Sequence, residues 1–205
     1  MVLYLTEADV NELVGMPDAL TAVRAVTKAH GLGRAANQPR QRVTVGDVTL
    51  CVMGGAWTDG EVLGTKTYVT GAGARFWVQL FDAKGNLLAL LEGDRLGQLR
   101  TGAATGVAAE ALARNDSRTL AVLGTGYQAW TQVEAVLAVR PVQRVKVWSR
   151  TRSRAAQFAA RVKEAFGVIV EAMPDAQAAV DGADMVVTVT ASAEPVLHGE
   201  WLASG

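Results

Sequence analysis

Residues Thr119–Ala129 read Thr-Leu-Ala-Val-Leu-Gly-Thr-Gly-Tyr-Gln-Ala. An apolar run, Leu120–Leu123, enters Gly124-x-Gly126-x-x-Ala129, and helical apolar spacing follows. A buried strand, a glycine turn and a helix in that order form the fingerprint of a dinucleotide-binding turn. Gly124 permits the tight turn out of the strand, and Gly126 lets the backbone approach a pyrophosphate. Ala129, small in place of a third glycine, lets the helix pack close to the strand. The free N–H groups and the dipole at the helix start favour the negative charge of phosphate.

Downstream the rhythm continues: strand 144–150, helix 152–167, strand 168–172, short helix 174–183 and strand 184–192. Such alternation predicts a parallel sheet. A doubly wound dinucleotide domain has about six strands, so the Rossmann-like sheet is read as incomplete and the chain as a piece of a longer protein. Upstream the pattern differs. Residues 1–36 read as helical after a short strand. Thr6-Glu7-Ala8-Asp9 can cap a helix with Val10, Leu13 and Val14 as its apolar stripe. A second helix follows Met16-Pro17-Asp18, with Leu20, Val23, Val26 and Thr27 at helical spacing. From Gln41 to Leu91 the period falls to two, with strands at 48–57, 62–70, 76–82 and 87–93. Turn signals separate them at Gly46-Asp47, Asp59-Gly60, Gly71–Gly73 and Lys84-Gly85-Asn86, which predicts an antiparallel meander. Thr101–Asn115 is an alanine-rich helix suited to close packing. The expected fold class is α/β: an N-terminal α+β region over 1–115 and a Rossmann-type domain over 116–205.

With 205 residues, half of them hydrophobic, the chain can bury a sizeable core. Its net charge of zero argues against a nucleic-acid binder that works by neutralising phosphates. No apolar run approaches the roughly 20 residues of a membrane-spanning helix, and the N-terminus lacks the basic region of a signal peptide. The single cysteine, Cys51, excludes an internal disulfide and fits a cytoplasmic protein. Cys51 reads as a small core residue, because neither His30 nor His198 is near it in sequence. No Cys/His cluster has metal-ligand spacing.

The residues that end the second Rossmann strand choose the nucleotide. A carboxylate there would hold the ribose 2′-hydroxyl of NAD. This chain has Ser149, followed by Arg150-Thr151-Arg152. A serine and two arginines suit a 2′-phosphate, which favours NADP(H), with NAD(H) as the alternative. The competing reading makes Arg150, Arg152 and Arg154 a solvated helix start, an arrangement that the helix dipole opposes.

The ordered set Pro39-Arg40, Met53, Gly64-Thr65-Lys66, Arg100-Thr101-Gly102-Ala103-Ala104, Gly124-Thr125-Gly126-Tyr127-Gln128-Ala129, Trp148-Ser149-Arg150-Thr151, Gly182-Ala183-Asp184 and Glu194-Pro195-Val196-Leu197 resembles the ornithine cyclodeaminase/mu-crystallin family along essentially the whole chain. The resemblance implies hydride transfer between a nicotinamide and a carbon that bears an amine or imine next to a carboxylate. It implies that Arg40, Lys66 and Arg100 hold the substrate carboxylate, although Arg42 is close enough to leave the first register open. Lys66 would also polarise the substrate or tune its amine protonation, and Met53 would belong to the pocket. Thr101, placed at a helix start, would reach a cofactor phosphate. Gly124, Gly126, Tyr127, Gln128, Ala129, Ser149, Arg150, Thr151, Arg152 and Thr190 complete the cofactor set. Glu92 and Asp94 read as solvated loop carboxylates, and His198 as a surface residue. The N-terminal region would bind substrate and form a homodimer. A small amino or imino acid is the expected substrate. A reductase or dehydrogenase is favoured over a cyclodeaminase, whose acidic proton acceptor is expected beyond residue 205. A non-catalytic NADPH-binding protein or an inactive fragment is the alternative.

Overall fold

Strand β1 (Leu3–Leu5), helix α1 (Glu7–Leu13) and helix α2 (Met16–Gly31) open the chain. Thr6 closes a capping box on α1: its hydroxyl accepts from the Asp9 N–H, and the Asp9 carboxylate accepts from the Thr6 N–H at 2.8 Å. The apolar stripe is shorter than its spacing suggests. Val10 is buried, but Leu13 is the last helical residue and stays exposed because the chain turns extended at Val14. On α2, Met16, Ala19, Leu20 and Ala29 are buried, and Thr27 falls outside the stripe. This computed structural model describes residues 1–71 and 73–204. Ala72, inside the turn read at Gly71–Gly73, and Gly205, at the end of the expected nucleotide domain, lie outside the described residues.

The period-two stretches become β3 (Gln41–Val45), β4 (Val48–Trp57), β5 (Val62–Thr70), β6 (Arg75–Asp82) and β7 (Leu87–Glu92), and a short β2 (Ala35–Asn37) precedes them. They pair in the order β1-β7-β6-β5-β4-β2, with β3 also on β4; only the β1–β7 pair is parallel. One face of this sheet buries Cys51, Tyr68 and Ala89. The opposite face carries Val43 and Leu50 as a cross-strand pair, with Val45, Val52 and Leu63, all exposed.

Helix α3 (Asp94–Leu112) begins before the alanine-rich run. Its first N–H groups, at Asp94 and Arg95, donate to the Glu7 carboxylate at 2.5 and 3.0 Å. A cap supplied from far along the chain starts the helix where no local signal does. Compact units comprise Met1–Arg100 and Thr101–Gly205, so the division falls within α3 rather than after residue 115.

The second unit contains β8 (Thr119–Leu123), α4 (Ala129–Val139), β9 (Arg144–Trp148), α5 (Arg152–Phe166), β10 (Ile169–Ala172), α6 (Ala176–Val180) and β11 (Met185–Thr188), followed by a 3₁₀ turn at Gly199–Trp201. The four strands are all parallel, in the order β10-β9-β8-β11. Leu120, Val122, Val145 and Val147 pack with Val133 and Val136 of α4 and Phe158 and Val162 of α5, while Leu123 packs with Ala179 and Val180 of α6. Helices on both faces explain why β8 is a continuous apolar run, with Leu120–Leu123 fully buried. Gly102 touches α4: a Cβ there would stand 2.3 Å from the Thr131 carbonyl oxygen. Two polar side chains lock the unit. The Arg140 guanidinium donates to the carbonyls of Glu110 and Ala113 at the end of α3. Asp184 accepts from the Arg118 and Thr119 N–H groups, both at 2.8 Å, and from the Arg114 guanidinium at 2.7 Å.

Candidate functional site

In the first unit, register gathers the candidate cations. Lys66 lies opposite Met53 on β4 and Val78 on β6. Tyr68, two residues on, shares the Lys66 face and pairs with Phe76. The Lys66 Nζ stands 4.7 Å from the Phe76 ring centroid and 5.8 Å from that of Tyr68. The Arg40 Cζ stands 5.6 Å from the Tyr68 centroid. Gly97 makes room for the ammonium, since a Cβ there would lie 2.8 Å from Nζ. One turn further along α3 comes Arg100. Met53 lines a shallow cleft beside Lys66 with Asn37, Gln38, Gly54 and Gly64.

Burial and neighbouring charge perturb Lys66 and Arg100. Burial, then the Arg100 guanidinium, pushes the Lys66 ammonium below its ordinary value; Arg40 adds to this, while Asp94 and Glu7 oppose it. Burial, then Arg40, lowers Arg100. Arg40, rather than Arg42, is thus the arginine that acts on both partners. Such a cluster could hold an anion, because a carboxylate would relieve the repulsion and could be held at both oxygens. The sequence reading missed Tyr68, Phe76 and Gly97. For Tyr68 the signal was present in the two-residue spacing from Lys66.

In the second unit, a cleft of about 260 Å³ opens at the glycine turn, between Gly124–Gly126, the Trp148–Thr151 segment and the Val189–Ser192 segment. Gly124 is obligatory: its φ is +115°, and a Cβ would stand 2.4 Å from the Val189 carbonyl oxygen. Its N–H donates to the Trp148 carbonyl at 2.8 Å, which ties the turn to the end of β9. Gly126 faces open space, and neither its N–H nor that of Thr125 donates to another described residue. Ala129 is fully buried at the start of α4. This backbone cradle, with two unspent donors and room above Gly126, fits a pyrophosphate.

Ser149, Arg150, Thr151 and Thr190 line the cleft, as does Arg154. Arg152, Tyr127 and Gln128 do not line it; Tyr127 is exposed, and Gln128 is the N-cap residue of α4. Thr101 requires a correction. It sits in the interior of α3, which begins at Asp94, so its N–H belongs to a helical turn and no helix start lies there to receive a phosphate. Asp94 begins α3, and Glu92 accepts from the Glu7 N–H and the Tyr4 hydroxyl, so neither is a loop carboxylate. His198 is exposed beside Trp201. Among the described residues, no group of three His, Cys, Asp or Glu side chains could hold a metal ion, and no helix is long and apolar enough to cross a membrane.

Known proteins resemble this chain in sequence and fold. The chain is 44% identical over 112 residues to a Delta(1)-pyrroline-2-carboxylate reductase of Bacillus cereus, a match that covers 55% of this chain and 34% of that protein. The structure of the Thermococcus litoralis Delta(1)-pyrroline-2-carboxylate reductase in complex with NADH and L-proline superimposes with a TM-score of 0.90 at 29% identity, covering 98% of this chain and 66% of that one. An archaeal alanine dehydrogenase dimer with bound NAD gives 0.91 at 28% identity, covering 98% and 64%. The matches thus span about a third of the curated relatives and under two thirds of the solved ones. The Rossmann-like α/β fold is common to all of these structures. With residues 2–205 matching the family as a whole, the chain belongs to the ornithine cyclodeaminase/mu-crystallin family.

Proposed function

We propose that the protein is a nicotinamide-dependent oxidoreductase that interconverts a small α-amino acid and its imine, with NADP(H) preferred over NAD(H). The observation that carries this reading is the Arg40–Lys66–Arg100 cluster, in which burial and neighbouring guanidinium groups lower the proton affinity of Lys66 and Arg100 and whose repulsion a substrate carboxylate would relieve. Arg40 and Arg100 bind the carboxylate and so fix the α-carbon beside it. Lys66 Nζ completes the clamp. With its lowered proton affinity, it also exchanges a proton with the substrate nitrogen, which gains one when a C=N bond is reduced and loses one in the reverse direction. A nicotinamide dinucleotide supplies or accepts the hydride at the α-carbon. Gly124, Gly126 and Ala129 admit its pyrophosphate, and Ser149, Arg150 and Thr151 take the 2′-phosphate. Thr190 borders the same cleft. The relatives in complex with NADH and NAD support a nicotinamide cofactor in general; the preference for the phosphorylated form rests on the Arg150 side chain.

The protein acts as a homodimer in this reading. The exposed apolar face of the first sheet, around Val43, Leu50, Val52 and Leu63, supports a second copy as its occupant, as does the dimeric alanine dehydrogenase relative.

The test is NADPH oxidation followed with Delta(1)-pyrroline-2-carboxylate in the full protein. Wild type turns over, and Arg100→Ala reduces kcat/KM by about 100-fold. NADPH binding with no turnover of this or other cyclic imino acids would contradict the enzymatic reading.

A further inference from the structure

We propose that Tyr68 is a positioning residue, whose ring holds Arg40 beside Lys66 so that the cation cluster is assembled before its anion arrives. The proposal rests on the carboxylate-binding reading above and adds to it the device that makes the cluster possible. Three cations gathered at one site, Lys66 partly buried and Arg40 and Arg100 exposed, repel, and something must offset that repulsion while the site is unloaded.

Lys66 has help within the first unit. It stands over two aromatic rings and feels the carboxylates of Asp94 and Glu7. Arg40 does not. It lies in the segment between β2 and β3, and its side chain forms no hydrogen bond or ion pair with any described residue. Its guanidinium lies over the Tyr68 ring, 5.6 Å from the centroid. The electron-rich face of a phenol attracts a guanidinium at that range. Tyr68 itself is fixed: it is buried, lies within β5 paired to both β4 and β6, and packs against Phe76 with ring centroids 5.1 Å apart. A rigid ring therefore anchors an otherwise unanchored arginine. Because the ring acts through its face, the hydroxyl is dispensable for this role.

The test is calorimetric titration of the chain with oxalate, a small carboxylate that needs no cofactor. Wild type binds, and Tyr68→Phe binds within about twofold of wild type. Tyr68→Leu binds roughly fivefold more weakly, and most of that loss disappears once Arg40→Ala is present, the remainder acting through Lys66, which shares the ring at 5.8 Å. Phenylalanines of increasing fluorination at position 68 keep the shape of the ring while draining its face, and affinity falls stepwise along the series; this arm holds even where Tyr68→Leu does not fold. Flat affinity across the fluorinated series, or equal losses from Tyr68→Leu with and without Arg40, overturns the proposal and leaves the carboxylate site standing. No oxalate binding by folded wild type overturns both.

Discussion

Strands β8 and β4 are both rich in apolar residues, yet they live in different surroundings. Every residue from Leu120 to Leu123 on β8 is fully buried, whereas on β4 Cys51 is buried and its neighbours Leu50 and Val52 are more than a third exposed. The parallel sheet has helices on both faces and needs continuous hydrophobicity. The antiparallel sheet shows alternation in burial without full alternation in chemistry, since its open face is also apolar. An apolar strand face left open in this way is the surface on which the proposed dimer rests. The two candidate sites differ in parallel fashion. The nucleotide cleft is centred on the backbone of one short glycine turn, with two further strand ends closing it, and the cation cluster is made of long side chains from three distant segments.

The sharpest way to break this comparison is Gly124→Ala. A Cβ at φ +115°, driven toward the Val189 carbonyl, destabilises the second unit by at least about 3 kcal/mol in chemical denaturation; a variant as stable as wild type would show that the turn is not strained. Leu120→Ala, which leaves a cavity in the doubly covered sheet, costs about 3 kcal/mol, and a loss below about 1 kcal/mol would mean that β8 is not a core strand.

Asp184 gives a pH test confined to the parallel sheet. The Arg118 and Thr119 N–H groups, with Arg114, hold its carboxylate below the ordinary range. A depressed folded-state pKa adds stability above the unfolded value of about 3.9 and loses it as pH falls through the folded value. Asp184→Asn therefore lowers stability by about 1 kcal/mol at neutral pH and much less once the pH has fallen through the folded-state value of Asp184. An equal loss at both pH values would contradict the assignment. Leu50→Ala is the smallest effect, under about 0.5 kcal/mol in a monomer, while Leu50→Glu shifts sedimentation from dimer to monomer. A dimer that survives Leu50→Glu would remove the open face from the interface.

What could be read in the sequence follows the same division. The termini of β4 and β5 match the period-two stretches, because alternation is a local property of the chain. The glycine turn was legible for the same reason, since Gly124 announces its own geometry. The start of α3 was not, because its cap comes from Glu7, and Thr101 was therefore misplaced at a helix end. The cation cluster was legible only through family motifs. Nothing local to Arg40 says that Tyr68 lies beneath it, and nothing local to Gly97 says that the Lys66 ammonium fills the space its missing side chain leaves.

The most direct measurement is a nicotinamide-fluorescence titration of the purified chain with NADPH and with NADH. Saturable binding that prefers NADPH by at least about tenfold, with the preference lost in Arg150→Ala, is the predicted result. A chain that is folded by circular dichroism yet binds neither dinucleotide would contradict the account.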